Sequence, residues 1–248
     1  MPSDVQTHYE ALLAEHYDWM LGMPFELKVA EQKALLNEIA GSAVNDALAV
    51  DLGCGSGIQS LALSELGYRV LAVDSSDKLL AKLAARIGAG RITMRLGDMR
   101  NIDDYVSPAT VSMAVCMGDT LTHLTSKQEV GALMRSVARA LQPQGLCVVT
   151  YRDLAGSELH GLDRFIPLHG DDQRVMTCFL EYTSPEAVVV NDLIHVRDDA
   201  GRWILKKSSY QKLRLARAWV REQMEAAGLT IVRERAERMV TLAATKTR

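Results

Sequence analysis

The sequence is poor in the features that mark secreted, membrane-spanning or metal-stapled proteins. Its four cysteines, Cys54, Cys116, Cys147 and Cys178, show no paired spacing. With no CxxC pair and no histidine cluster, neither a disulfide framework nor a zinc site has support, and no metal is expected. No apolar run approaches the length of a membrane span, so no membrane partner is expected. The first twenty residues carry His8, Glu10, Glu15, His16 and Asp18 where a secretory signal needs an apolar stretch, so a cytoplasmic location is the expectation. Net charge is only −3 and the basic residues are dispersed, which argues against a nucleic-acid groove. What is left is a globular composition, 48% apolar and 24% charged over 248 residues, sufficient to bury a substantial core.

One stretch organises the rest: Val50-Asp51-Leu52-Gly53-Cys54-Gly55-Ser56-Gly57. An apolar run, 47–52, stops at three alternate glycines, and a helical pattern starts at Ile58. This reads as strand, glycine-rich turn and helix start. Glycines there permit positive φ and bring bare peptide N–H groups against a ligand at the positive end of the helix dipole. The dinucleotide fingerprint G-x-G-x-x-G would need glycine at position 58, which is Ile58, and no Gly-Lys-Ser/Thr phosphate loop follows.

Residues 1–46 read as helices, with helical apolar spacing over 9–20 and 27–39 and a break at Gly22 and Pro24. Beyond the glycine turn, strands over 69–74, 91–96, 110–117 and 146–151 alternate with helices. Ser75 or Ser76 caps one helix, and the box Ser126-Lys127-Gln128-Glu129 opens another, which Pro143 and Gly145 are expected to end. Alternation of this kind requires parallel pairing and right-handed crossovers, and ligands then bind beyond the carboxyl ends of the strands. After a polar connection, 152–172, three extended segments over 174–183, 187–196 and 202–215 form an antiparallel meander. A helix from Ala216 to Gly228 and strands over 229–235 and 239–245 close the chain. The expected fold is α/β: a doubly wound, seven-stranded, mostly parallel Rossmann-like sheet, with the three-stranded meander inserted in the sheet and not a separate domain. The expected organisation is one domain, 1–248: helical cap 1–46, ligand-binding core 47–151, inserted substrate lid 152–215, and closing helix and strands 216–248.

The residues at the strand ends carry the chemistry. Asp74 ends the second strand about twenty residues after the glycine turn, where an acid can accept hydrogen bonds from both hydroxyls of a ribose; capping the next helix, beside Ser75, is its alternative role. Asp98 and Met99 end the third, a pairing suited to the amino group and ring face of an adenine, with a helix N-cap or loop aspartate as the alternative. Tyr17, just before the break at Gly22, can close over a neighbouring site or pack in the core.

Four segments together resemble the class I S-adenosylmethionine (SAM) methyltransferases, closest to the glycine N-methyltransferase group. They are Asp51-Leu52-Gly53-Cys54-Gly55-Ser56-Gly57, Val73-Asp74-Ser75-Ser76-Asp77-Lys78-Leu79-Leu80, Cys116-Met117-Gly118-Asp119-Thr120-Leu121-Thr122-His123-Leu124 and Tyr151-Arg152-Asp153. The resemblance spans 9–153 and, more loosely, 174–245. It implies SAM as cofactor and S-adenosylhomocysteine as product. Asp51 completes the glycine motif, Gly53, Cys54 and Gly55 face the methionine part, Asp74 the ribose, and Asp98 with Met99 the adenine. Met117 would flank the sulfonium, Tyr17 would close the site, and Arg152 would bind the carboxylate of a small amino-acid substrate. One departure matters: the group usually has Asn where this chain has Asp119. A carboxylate there favours a cationic substrate or acts as a base, and repels a substrate carboxylate. His123 is a second candidate proton acceptor. The meander, with Tyr210, His169, His195, Tyr182 and Arg214, is expected to roof the substrate pocket, with Tyr210 in contact with substrate. The expected activity is methyl transfer to a small molecule at nitrogen. The alternatives are transfer to oxygen or carbon, or a protein that binds SAM without turnover. Oligomeric state stays open, a homodimer being one option.

Overall fold

The computed structural model describes residues 4–41, 46–88 and 90–247; residues 1–3 and 42–45 of the expected helical cap, and residue 248 of the closing segment, lie outside the described residues. The chain starts with helix α1 (Asp4–His8), which runs through a π-helical turn (Tyr9–Leu13) into α2 (Ala14–Met20), followed by α3 (Phe25–Ala40). Then come β1 (Leu48–Leu52), α4 (Ile58–Glu65), β2 (Arg69–Asp74), α5 (Asp77–Ala84), β3 (Ile92–Leu96), β4 (Val111–Cys116), α6 (Lys127–Ala140) and β5 (Leu141–Tyr151). Next are β6 (Phe165–Gly170), β7 (Arg174–Ser184), β8 (Ala187–Arg197) and β9 (Trp203–Leu213), and the chain closes with α7 (Arg217–Ala226), β10 (Leu229–Ala236) and β11 (Val240–Lys246).

The main sheet has the order β10-β11-β5-β4-β1-β2-β3, parallel except where β11 runs against both neighbours. Its central strands are covered on both faces, as parallel strands must be. Alternation decides which side chain meets which layer. Ala49, Met113, Val115 and Val148 pack with Val29 and Leu36 of α3 and Ala62 and Leu63 of α4, whereas Val50, Leu52, Ala114, Cys116 and Val149 pack with Leu133, Met134 and Val137 of α6 and Val220 of α7. Strand order reverses between β1 and β4, and that switch point opens the crevice in which such sheets bind ligands.

Two expectations about local structure need correction. Helix α6 stops at Ala140, before Pro143, because its last carbonyls, of Arg139 and Ala140, accept from the Ala109 and Thr110 N–H groups and lead the chain straight into the sheet. Pro143 and Gly145 shape an irregularity inside β5, where Leu141 pairs with Val111 and Leu146 with Met113. The meander also differs from the three strands expected within the main sheet: it is a separate four-stranded sheet, β6-β7-β8-β9. The added strand comes from the supposed polar connection, where Phe165 pairs with Phe179 and Pro167 is tolerated because β6 is an edge. The inner face of this sheet, with Met176, Cys178, Leu180, Val188, Val190, Ile194 and Tyr210, packs against Val5, Tyr9, Leu12, Leu13 and Tyr17 of the N-terminal helices. Trp19 anchors the far end, donating to Asp171 Oδ2 at 2.6 Å beneath the Arg174 guanidinium. The N-terminal helices and second sheet therefore share a core. Among the described residues no helix is long and apolar enough to cross a membrane.

Candidate functional site

The glycine turn is locked by its neighbours. Gly53 has φ +73°, and a Cβ there would lie 2.1 Å from Thr120 Cγ2. Gly57, with φ +97°, starts α4, and a Cβ there would lie 2.3 Å from Leu83 Cδ1. The Gly53 and Cys54 N–H groups both donate to Val73 O, at 2.8 and 3.0 Å. Asp74 completes the tether: Oδ2 accepts from Gly55 N–H at 2.7 Å and Oδ1 from Ser76 N–H at 2.8 Å. Burial raises the Asp74 pKa against these bonds. The Ser75 N–H adds a third backbone contact, and a carboxylate with about four acceptor sites still keeps a lone pair for a ligand hydroxyl.

A cavity of about 200 Å³ opens over this turn. Of the residues singled out in the sequence, it is lined by Tyr17, Gly53, Gly55, Asp74, Ser75, Asp98, Met99 and His123. They arrive from the ends of β1, β2 and β3, the loop after β4, and the N-terminal helix. Polar contacts seat that helix on α5: Gln6 Nε2 donates to Ser75 O at 2.9 Å, Ser76 Oγ to Glu10 Oε1 at 2.5 Å, and Asp18 pairs with Lys82 and Arg86. A wider groove of about 420 Å³, between α6 and α7, contains none of these residues.

The other six candidates stand behind the wall. Asp51 is buried and accepts from Ser60 Oγ at 2.6 Å, and Cys54 packs with Ala72, Leu80 and Leu83 under α5. Met117 follows the alternation of Met113 and Val115 into the α3–α4 layer, so its side chain cannot flank a ligand in the cavity. Asp119, Arg152 and Tyr210 do not line the cavity either. Of the other meander candidates, His169 packs on Trp19, and Arg214 lies over Tyr182 and binds Glu158 at 2.6 Å. The meander does not roof the cavity directly, because the N-terminal helix lies against its inner face.

Asp119 is an ion-pair centre. It sits in the left-handed region at φ +78°, which Asn and Asp tolerate best among non-glycine residues. Its carboxylate accepts from Arg152 N–H at 2.6 Å, from the Arg152 guanidinium, and from Lys212 Nζ at 3.1 Å. Burial pushes its pKa up, but Lys212 and Arg152 outweigh burial and hold the carboxyl well below the usual range. The repulsion of a substrate carboxylate expected from Asp119 is therefore cancelled, since two cations face one anion. The His123 imidazole is buried among Tyr9 and Tyr210, at 5.8 and 5.5 Å between ring centroids, and its Nε2 has no partner among the described residues. Burial, reinforced by Lys212, lowers its pKa to about 3, so the ring is neutral at physiological pH. Asp98 is also committed: Arg100 binds both its oxygens and donates on to Glu129, so that although burial raises its pKa the pairing brings it below the ordinary value.

Three contributors escape the sequence reading. Tyr9 and Thr120 line the cavity, and Lys212 neutralises Asp119. Lys212 lies two residues from Tyr210 on the same face of β9, so strand alternation gives its face but not Asp119 as its partner.

Burial raises the Asp51 pKa to about 7, helped by Asp74 and opposed by the Ser60 hydrogen bond. A raised carboxyl keeps its proton in the folded state while the unfolded chain releases it above pH ~4, so stability falls from there to about pH 7 and then levels. Asp51→Asn removes this loss: relative to the native protein, it gains on the order of 3 kcal/mol between pH 4 and pH 8 in urea unfolding. A gap between the two proteins that does not change with pH contradicts the assignment.

Comparison with known proteins gives this geometry a context. Residues 49–145 match the methyltransferase domain family. The chain is 33% identical over 114 residues to the cypemycin N-terminal methyltransferase of Streptomyces sp, 46% of this chain and 45% of that protein. It is 28% identical over 117 residues to glycine N-methyltransferase of Mus musculus, 42% of this chain and 40% of that protein. The matched segments thus span less than half the length of these curated relatives. Among solved structures, the CcbJ methyltransferase from Streptomyces caelestis superimposes with a TM-score of 0.78 at 22% identity, covering 97% of this chain and 98% of that one.

Proposed function

We propose that the chain is a class I SAM-dependent methyltransferase, in keeping with the methyltransferase-domain match over residues 49–145, and that it transfers a methyl group to a nitrogen of a small molecule, the whole chain acting as one domain. When bound, SAM supplies a methyl carbon already activated by its sulfonium. The residues present fit such a group: an acid with spare acceptor capacity, a tight glycine turn and the aromatic rings of Tyr9 and Tyr17 line one cavity. In this reading Asp74 accepts from both ribose hydroxyls, and Met99 lies along the adenine. Asp98, held by Arg100, fixes the loop between them. The N–H groups of Gly53, Cys54 and Gly55 are committed to Val73 O and Asp74, which corrects the bare donors expected of this turn; the methionine part is assigned to the cavity side of Gly53 and Gly55, with Asp51 and Ser60 supporting the turn from behind. Tyr9 and Tyr17 exclude water from the cavity, which strengthens every polar contact inside it.

The observation favouring nitrogen is the absence of a strong base among the candidates. Asp119 is ion-paired and depressed, and His123 is a weak acceptor with its pKa near 3. A hydroxyl must lose a proton to become nucleophilic, whereas an amine that arrives neutral already carries its lone pair. The orienting task then falls to His123, Tyr9 and Tyr17. Arg152 and Lys212 exceed Asp119 by one positive charge, and although none of the three lines the cavity, their net field favours an acceptor that bears a carboxylate over a cationic one. The relatives include the cypemycin N-terminal methyltransferase and glycine N-methyltransferase, alongside ubiquinone biosynthesis O-methyltransferases.

The test is transfer of labelled methyl from SAM across amines, amino acids, alcohols and phenols. Labelled product from amines bearing a carboxylate is the expected result. Turnover confined to hydroxyl compounds would overturn the nitrogen assignment, and SAM binding without turnover on any acceptor would favour a non-catalytic binder.

A further inference from the structure

The largely apolar core shared by the N-terminal helices and the second sheet is crossed by a buried polar pair. His8 Nε2 donates to Asp192 Oδ2 at 3.0 Å, and both side chains are almost completely inaccessible. Asp192 stands on the inner face of β8, between Cys178 of β7 and Ser208 of β9. Removing such a pair from water carries a desolvation cost that apolar residues would avoid, and the best-attested use of a buried polar pair is to fix register.

Register is what this contact needs. His8 is the last residue of α1, and the π-turn begins at Tyr9. A π-turn changes which residues face the sheet, and apolar contacts such as Leu12 and Leu13 on Met176 and Ile194 tolerate sliding. A hydrogen bond to a single buried carboxylate does not. Two short paths lead from His8 to the cavity. Tyr9, the next residue, lines it. Tyr210 stacks on His8 with ring centroids 4.3 Å apart and meets His123, also in the wall, nearly edge-on at 5.5 Å. Neither His8 nor Asp192 lines the cavity.

We propose that the His8–Asp192 pair positions the cavity wall: it locks the N-terminal helix in register on the second sheet and so holds Tyr9 and His123 in place for the ligand. The inference rests on reading the cavity as a SAM site. A native protein that fails to bind S-adenosylhomocysteine refutes that reading first, before any variant is compared.

The experiment is titration of five proteins, the native chain, Tyr9→Ala and three variants of the pair, with S-adenosylhomocysteine, with thermal unfolding of each. Asp192→Asn keeps an acceptor for His8 and retains native affinity; a loss of tenfold or more overturns the register lock. The double variant His8→Leu, Asp192→Leu replaces the pair by apolar volume, so it unfolds at or near the native temperature yet binds about tenfold more weakly. Native affinity in that folded variant overturns the proposal. The third variant adds Tyr9→Ala to the double. If the pair acts through Tyr9, Tyr9→Ala costs much less affinity there than in the native background, whereas fully additive losses contradict the proposed route. Should the double variant not fold, Asp192→Asn still decides, and His8→Gln, which keeps a donor for Asp192, is expected to retain at least a third of native affinity; a tenfold loss there also overturns it.

Discussion

Asp119→Ala is expected to destabilise the protein by about 3–5 kcal/mol at neutral pH, the usual result of stripping one partner from a buried ion pair. The penalty comes from what is left behind. Lys212 is 7% exposed and would keep a charge with no counterion, and the Arg152 N–H would lose its acceptor. Position 119 also has φ +78°, which alanine adopts only with strain. Asp119→Asn should fall between, because an amide oxygen still accepts from Arg152 N–H and asparagine tolerates this backbone, but it cannot neutralise Lys212. Adding Lys212→Met to Asp119→Asn should recover most of the loss, since deleting both charges avoids an orphan. The sign with pH follows from the depressed carboxyl. Its stabilisation is complete above the unfolded-state value near pH 4 and is lost as pH falls toward the folded-state value, so the Asp119→Ala penalty shrinks in acid. Denaturant unfolding at pH 7 and pH 3 measures this. A penalty below about 1 kcal/mol at pH 7, the range of exposed pairs, would mean that the three charges do not act as a buried unit.

Asp74→Ala should reduce affinity for S-adenosylhomocysteine roughly 100-fold. Hydrogen bonds to a charged acceptor contribute about 1.5–3 kcal/mol each, and two ribose hydroxyls are assigned to this carboxylate. The substitution also releases the Gly55 and Ser76 N–H groups, which Asp74 holds at 2.7 and 2.8 Å, so the glycine turn itself loosens. Asp74→Asn separates the two effects: its amide oxygen can keep one contact, and a loss nearer tenfold is expected. Calorimetry reads both variants directly. Native affinity in Asp74→Ala would remove the ribose assignment while leaving the fold unchallenged.

The parts of the site that were legible in the sequence are local. The glycine turn, Asp74 and the Ser76 cap lie within one β–α–β unit, where spacing along the chain is nearly spacing in space. Met117 was also decidable, since strand alternation from Met113 and Val115 points it away from the cavity. Lys212 and His8 were harder. Their partners, Asp119 and Asp192, are 93 and 184 positions distant, and alternation gives the face of a strand but not what covers it. The fourth strand of the second sheet was hidden by Pro167 and Gly170, which read as loop residues but are admissible on an edge. The Asp119 carboxylate was read as a charge awaiting substrate because its two cations come from the end of β5 and from β9, elements that only the fold brings together.

The central claim is that the cavity above the glycine turn holds SAM and its product. Calorimetric titration of the native protein with S-adenosylhomocysteine tests it most directly, free of any assumption about the acceptor. Saturable micromolar binding, one molecule per chain, is the predicted result; no heat of binding with either S-adenosylhomocysteine or SAM would contradict it.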